Sequence, residues 1–108
     1  MQSVKVFLDE YKRRVAKGNL DFVPAHKNKV SRRKYGLTII DIENTIMQLD
    51  SSDLHSGPEK DRDRPNEELW IFKKELLEAK VVFYIKLKLR GSKIAVCLSF
   101  HEDEKKGG

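Results

Sequence analysis

Residues 80–101 read K-V-V-F-Y-I-K-L-K-L-R-G-S-K-I-A-V-C-L-S-F-H, and their alternation decides the fold class. From Lys80 to Arg90 apolar and polar side chains exchange with a period of two, the pattern of a strand buried on one face. Gly91-Ser92 reads as a two-residue hairpin turn, and Lys93 to His101 as the returning strand. With Arg90 opposite Lys93, Leu89 faces Ile94, Leu87 faces Val96, Ile85 faces Leu98 and Phe83 faces Phe100. All four pairs are apolar and share one face, a consistency that a one-residue slip would destroy. The opposite face then carries Tyr84, Lys86, Lys88, Arg90 and His101 above the small Ala95, Cys97 and Ser99.

Upstream, Leu69 to Leu77 reads as a third strand. If Glu78-Ala79 makes the turn, Trp70, Phe72 and Leu76 join the apolar face, and Lys73 comes to lie opposite Tyr84. Leu54 to Glu68 holds Gly57-Pro58 and Asp61-Arg62-Asp63-Arg64-Pro65 with almost no apolar content, and reads as a long surface loop. Earlier the period changes to that of a helix. Ser3 to Lys17 repeats Val4, Phe7, Leu8, Tyr11 and Val15 on one face, and Gly18 stops it. A short basic helix is expected from Lys27 to Tyr35, ended by Gly36. A third begins at Thr38, with Asp41 placed for a capping box. Its apolar face is Ile39, Ile42, Ile46 and Leu49, widened by Ile40 and Met47. The expectation is one α+β domain over residues 1–108, its N-terminal helices packed on a C-terminal antiparallel sheet of three strands or slightly more. Residues 102–108 are expected to fray.

Composition narrows the function. Cys97 is the only cysteine, so neither a disulfide framework nor a cysteine-based zinc site is available. No segment approaches the roughly 20 apolar residues of a membrane span. Met1 to Asp9 lacks the basic and apolar regions of a signal peptide. These features lead to the expectation of a cytoplasmic protein with no membrane partner. The net charge of +5 is unevenly spread. Ten Lys/Arg against three acids occupy residues 1–36, eleven acids against six bases occupy residues 37–80, and six bases against three acids follow. Two basic blocks suit a polyanion, although the same pattern also describes two solvated faces.

The polar face of the sheet carries chemistry. Cleaving RNA without a metal requires a base for the 2′-hydroxyl, an acid for the leaving 5′-oxygen and positive charge on the phosphate. A histidine can serve as acid or base near neutral pH, which makes His101 a candidate for either role. Tyr84 can donate to a phosphate or act as acid, and Lys86 and Lys73 can hold the phosphate as point charges. Lys88, Arg90, Arg32, Arg33, Lys34 and His55 are candidate RNA contacts. No metal site and no cofactor are expected.

Y-G-L-T followed by I-x-x-L-D-S-S-D-L (Tyr35 to Leu54), E-L-W-I-F-K-K-E (Glu68 to Glu75), V-F-Y-I-K-L-K-L (Val82 to Leu89) and L-S-F-H (Leu98 to His101) resemble, in that order, the MqsR family of toxin–antitoxin toxins. The resemblance implies a RelE-like fold, an endoribonuclease (mRNA interferase) activity and restraint by a cognate antitoxin. It places the family's sheet tyrosine on Tyr84, the following lysine on Lys86, and the basic residue after S-F on His101, where the best-studied member has lysine. The position after the tryptophan, polar in that member, is Ile71, and Lys73 is available to compensate. The aromatic–basic pair after the S-x-S-D loop falls on His55-Ser56. The expected partners are therefore messenger RNA, free or on the ribosome, and an antitoxin protein. The alternative is a non-catalytic module that grips RNA or the ribosome with its basic sheet face.

Overall fold

The computed structural model describes residues 3–76 and 80–104. Helix α1 spans Val4–Ala16 and starts where the Ser3 hydroxyl accepts a hydrogen bond from the Val6 amide at 3.1 Å. Its buried side chains are Phe7, Leu8, Tyr11 and Val15, the stripe expected from the sequence, together with Arg14. The Arg14 guanidinium donates to the carbonyls of Ile94 (2.8 Å) and Gly91 (3.2 Å) and to Glu10 (2.7 Å). A buried arginine thereby has both its Nε and its Nη1 paired, and it ties the helix to the final hairpin. Helix α2, His26–Tyr35, ends at Gly36 in the left-handed region (φ 64°). Helix α3, Ile39–Met47, begins with the expected capping box between Thr38 and Asp41. Ile42, Ile46 and Leu49 are buried, but Ile39, Ile40 and Met47 are exposed, so the apolar face is narrower than the sequence suggested. The reason is that α3 meets the core along one stripe only.

The described residues form five strands, β1 (Leu20–Phe22), β2 (Leu54–Lys60), β3 (Glu68–Leu76), β4 (Val81–Arg90) and β5 (Ile94–Glu102), in the spatial order β1-β5-β4-β3-β2. The fold is α+β, with a sheet larger than three strands and mixed, because β1 runs parallel to β5. Two strands escaped the sequence reading. β1 has only three residues, too few to show a period. β2 occupies the first half of the segment expected to be a loop, since its pairing with β3 is broken by two register shifts and its sequence does not alternate. Gly57 is required there. Its φ is 118°, and an added Cβ would stand 2.7 Å from the Leu69 carbonyl oxygen. The expected Glu78-Ala79 turn and the end of its strand at Leu77 lie outside the described residues, as do residues 105–108 of the expected tail.

β3 pairs with β4 as anticipated, with Lys73 opposite Tyr84 and Trp70 opposite Leu87. The β4–β5 hairpin differs. Gly91, Ser92 and Lys93 all lie in the connection, so Arg90 pairs with Ile94, Leu89 with Ala95 and Leu87 with Cys97. Ala95 and Cys97 therefore enter the core, which also holds Tyr11 of α1, while Val96 lies on the opposite face. A bulge at Leu98 then inserts one residue, and the register resumes with Lys86 opposite Ser99, Ile85 opposite Phe100 and Tyr84 opposite His101. The bulge returns Phe100 to the core and His101 to the outer face.

The bulged stretch of β5 lies beyond the end of β1, and α2 covers it. The Asn28 amide donates to the carbonyls of Val23 (2.9 Å) and Leu98 (3.1 Å), and its oxygen accepts from the Phe100 amide (2.9 Å). The Ser31 hydroxyl accepts from the Glu102 amide at 2.9 Å. Asn28 and Ser31 are the buried residues of this helix, so its inward face is polar because it completes a sheet edge. Each buried polar group left without a partner costs roughly 1–3 kcal/mol. Asn28→Ala orphans the Phe100 amide and the Leu98 carbonyl, so a loss of about 2–5 kcal/mol is expected in urea unfolding, with faster exchange of the Phe100 amide. A change below about 0.5 kcal/mol, the scale of an ordinary surface substitution, would remove the clamp from the account.

Candidate functional site

On the face of the sheet away from α1 and α3, alternation along β3 and β4 and the bulge in β5 bring Tyr84, Lys86, Ser99 and His101 together. The rings of Tyr84 and His101 stack with centroids 5.3 Å apart and planes 16° from parallel. The Lys86 ammonium stands 6.0 Å from the Tyr84 ring centroid. These four residues, with Lys27, Asp103 and Glu104, line an open groove of about 410 Å³. The His101 Nδ1 lies 3.0 Å from the Glu102 carbonyl oxygen. A carbonyl can only accept, so this contact keeps the proton on Nδ1 and leaves the Nε2 lone pair free in the neutral ring. Burial pushes the Tyr84 hydroxyl above its ordinary value, helped by the nearby charges of Glu59 and Asp103. Tyr84 is thus a protonated donor at neutral pH. The Cys97 thiol is buried, and burial raises its pKa far above the range in which a thiolate forms.

The other expected residues divide by what holds them. Lys73 lies opposite Tyr84, but its ammonium is 3.1 Å from the Asp103 carboxylate. Lys34 pairs with Glu102 at 3.0 Å and Lys27 with Glu104 at 3.4 Å. Three successive acids thus neutralise three lysines around the groove. E-D-E after a strand reads as a solvated tail, whereas β5 continues to Glu102 and the Asp103 amide still donates to the Val82 carbonyl. Arg90 pairs with Asp21 at 3.2 Å. Arg32 lies over the Phe22 ring at 5.6 Å, and Arg33 is exposed on α2. His55 is exposed on β2, two strands from Tyr84, and lines no part of the groove. The buried Ile71 faces Lys86 from β3.

Lys88 is 3% exposed. Its ammonium lies 2.6 Å from Asp61 and 2.7 Å from Glu67, the two ends of the loop joining β2 to β3. Burial opposes its charge, but the hydrogen bonds to both carboxylates outweigh this and leave its pKa raised. Asp61 is held below its ordinary value chiefly by the Lys88 hydrogen bond. A depressed carboxyl contributes stability above its unfolded pKa and loses it as pH falls through the folded one, so the latch is complete at neutral pH and opens only in acid. Lys88, Ile71 and Val96 form a buried patch on the outer face, separate from the main core.

A family model described as "Motility quorum-sensing regulator, toxin of MqsA" matches residues 4–102, and the chain belongs to this family. It is a toxin of a toxin–antitoxin system, and the family implies an antitoxin partner. No curated protein matches the chain. No helix among the described residues is long and apolar enough to cross a membrane.

The Lys88 latch has a direct test. Lys88→Met leaves Asp61 and Glu67 without their shared cation, and the loop between them should open locally. Trypsin is expected to cut after Arg62 about tenfold faster or more, equivalent to opening made easier by ~1.4 kcal/mol. Cleavage unchanged from wild type would show that the loop is held by something else.

Proposed function

We propose that this family toxin is a metal-independent endoribonuclease acting on messenger RNA in the cytoplasm, and that the groove over Tyr84, Lys86 and His101 is its active site. The observation that carries the reading is the direct pairing of Tyr84 with His101 on an open, solvent-facing groove. One member is a hydroxyl kept protonated and the other presents a free imidazole nitrogen. In the proposed reaction the 2′-oxygen of a ribose forms a bond to the adjacent phosphorus while His101 Nε2 takes its proton. The bond from phosphorus to the 5′-oxygen breaks as that oxygen receives a proton from Tyr84, a phenol being a stronger acid than the alcohol it protonates. The products are a 2′,3′-cyclic phosphate and a 5′-hydroxyl. Lys86 supplies positive charge to the non-bridging oxygens, whose charge grows in the transition state.

Lys73 can join Lys86 only if the substrate displaces Asp103, since the two are ion-paired. A phosphate offers the same charge with more acceptors, so exchange is chemically reasonable. A second reading, RNA or ribosome binding without cleavage, is favoured by Ile71, which is apolar and buried beside Lys86.

Variants separate the two. His101 is only half-buried and its ring is outside the main core, so His101→Ala should leave the unfolding midpoint nearly unchanged. It is expected to slow RNA cleavage by roughly 10²–10⁴-fold, the usual contribution of a positioned acid or base. Lys86→Ala is expected to cost about 10²-fold or more, as for other lost electrostatic donors. Purified His101→Ala that cuts RNA at the wild-type rate would falsify the assignment of the base. Wild-type protein that binds RNA and arrests growth without cutting would establish the second reading.

A further inference from the structure

A second groove, of about 660 Å³, lies beneath the loop between β2 and β3 and shares Lys86 and Ser99 with the cleavage groove. Its floor includes Leu69 and Leu98, both partly exposed on the outer face. Leu98 is the extra residue of the β5 bulge. The rim carries Lys60, Arg62 and Arg64 from the end of β2 and the loop.

The cations of this face fall into two groups. Lys27, Lys34, Lys73, Lys88 and Arg90 each have a carboxylate within 3.5 Å. Lys60, Arg62, Arg64 and Lys86 have none among the described residues, although the loop also carries acids. Asp61 is committed to Lys88, which leaves Glu59 and Asp63 against four uncommitted cations. An apolar floor, a serine hydroxyl and a surplus of unpaired arginine and lysine make a surface for a base and its phosphate. The Lys88 latch fixes the loop that presents these arginines.

We infer that this second groove is a nucleotide subsite. The RNA strand crosses Lys86 out of the cleavage groove, lays a base on Leu69 and Leu98, and sets its phosphates against Arg62 and Arg64. The inference rests on the proposed ribonuclease function, because it takes the substrate to be single-stranded RNA, but its test reads binding separately from cleavage.

The probe is a fully 2′-O-methylated single-stranded RNA of ten nucleotides, which lacks the attacking hydroxyl. Its affinity is measured against salt for wild type and for the double variant R62A/R64A, whose side chains are exposed and outside the core. Each phosphate contact on a single strand contributes about −0.7 to the slope of log affinity against log salt, so losing two should flatten the slope by about 1.4. With cleavable RNA, R62A/R64A should raise KM for a ten-nucleotide substrate and leave cleavage of a dinucleotide, too short to reach the loop, at the wild-type rate. An unchanged slope, or equal loss on dinucleotide and long substrate, overturns the subsite while leaving the proposed active site intact. If wild type binds the probe with a slope that R62A/R64A flattens, yet cuts no RNA, the subsite stands and the ribonuclease reading falls. Absence of any salt-dependent binding by wild type overturns both.

Discussion

The arrangement of the site depends on a single extra residue in β5, held by one asparagine. Ahead of Leu98 the register places Cys97 opposite Leu87 in the core. Continued without a break, it would turn Phe100 outward and His101 inward. Burying a phenylalanine side chain is worth roughly 1.5–3 kcal/mol, and burying an imidazole without partners costs a similar amount, so the chain gains by inserting a residue. An inserted residue disrupts the ladder, and here it does so on an edge that β1 no longer covers. Asn28 supplies a donor and an acceptor to the bulge, and Ser31 supplies the next acceptor. Core packing, edge protection and placement of His101 beside Tyr84 are therefore one problem with one solution, and the polar inward face of α2 provides it.

The sequence showed the parts of the fold that repeat with a regular period. α1, the capping box of α3, β3, β4 and the pairing of Lys73 with Tyr84 all follow from alternation or helical spacing. In β5 the pattern misleads, because Ile94, Val96, Leu98 and Phe100 alternate well, while the true inward set, Ala95, Cys97 and Phe100, has a break in its spacing. The more apolar set is not the buried set: Val96 is buried on the other face, and Leu98 is part of the bulge. The identity of Tyr84, Lys86 and His101 as neighbours nevertheless came through, since the error at the turn and the extra residue at Leu98 restore the same parity by Ser99. What the sequence could not show was which charges are already spent, because ion pairs such as Lys73 with Asp103 join positions far apart in the chain.

Those pairs shape what a polyanion meets. Lys27 and Glu104 are both about 60% exposed, and an exposed pair of this kind contributes about 0–1 kcal/mol. Glu102 with Lys34 is only somewhat less exposed. Such pairs yield readily to a ligand with more negative charge. Asp103 is better shielded, with a side chain 13% exposed, and it sits close enough to Tyr84 to raise its pKa. The acidic end of β5 thus gives the groove a graded resistance to anions, weak at its α2 rim and stronger beside Tyr84. An anion that reaches Lys73 must displace the Asp103 carboxylate, whereas one that reaches Lys86 meets no ion pair among the described residues.

Lys86 and Lys88 illustrate how little the local pattern says about role. They are two residues apart on one strand, point to the same face, and are flanked alike by leucine and isoleucine or leucine. Lys88 lies where the loop between β2 and β3 crosses the sheet, so it is buried and shared by two carboxylates. A cation in that position cannot also meet a phosphate without releasing the loop. Lys86 lies one step nearer Tyr84, past the edge of the loop, and remains half-exposed where the two grooves meet. Removing water and adding two acids turned the first lysine into a structural tie. Leaving water in place kept the second open to the groove. The boundary between a lysine that holds the fold and one that stands open in a groove accordingly falls between two neighbouring positions of one strand, and the loop, through Asp61 and Glu67, draws it.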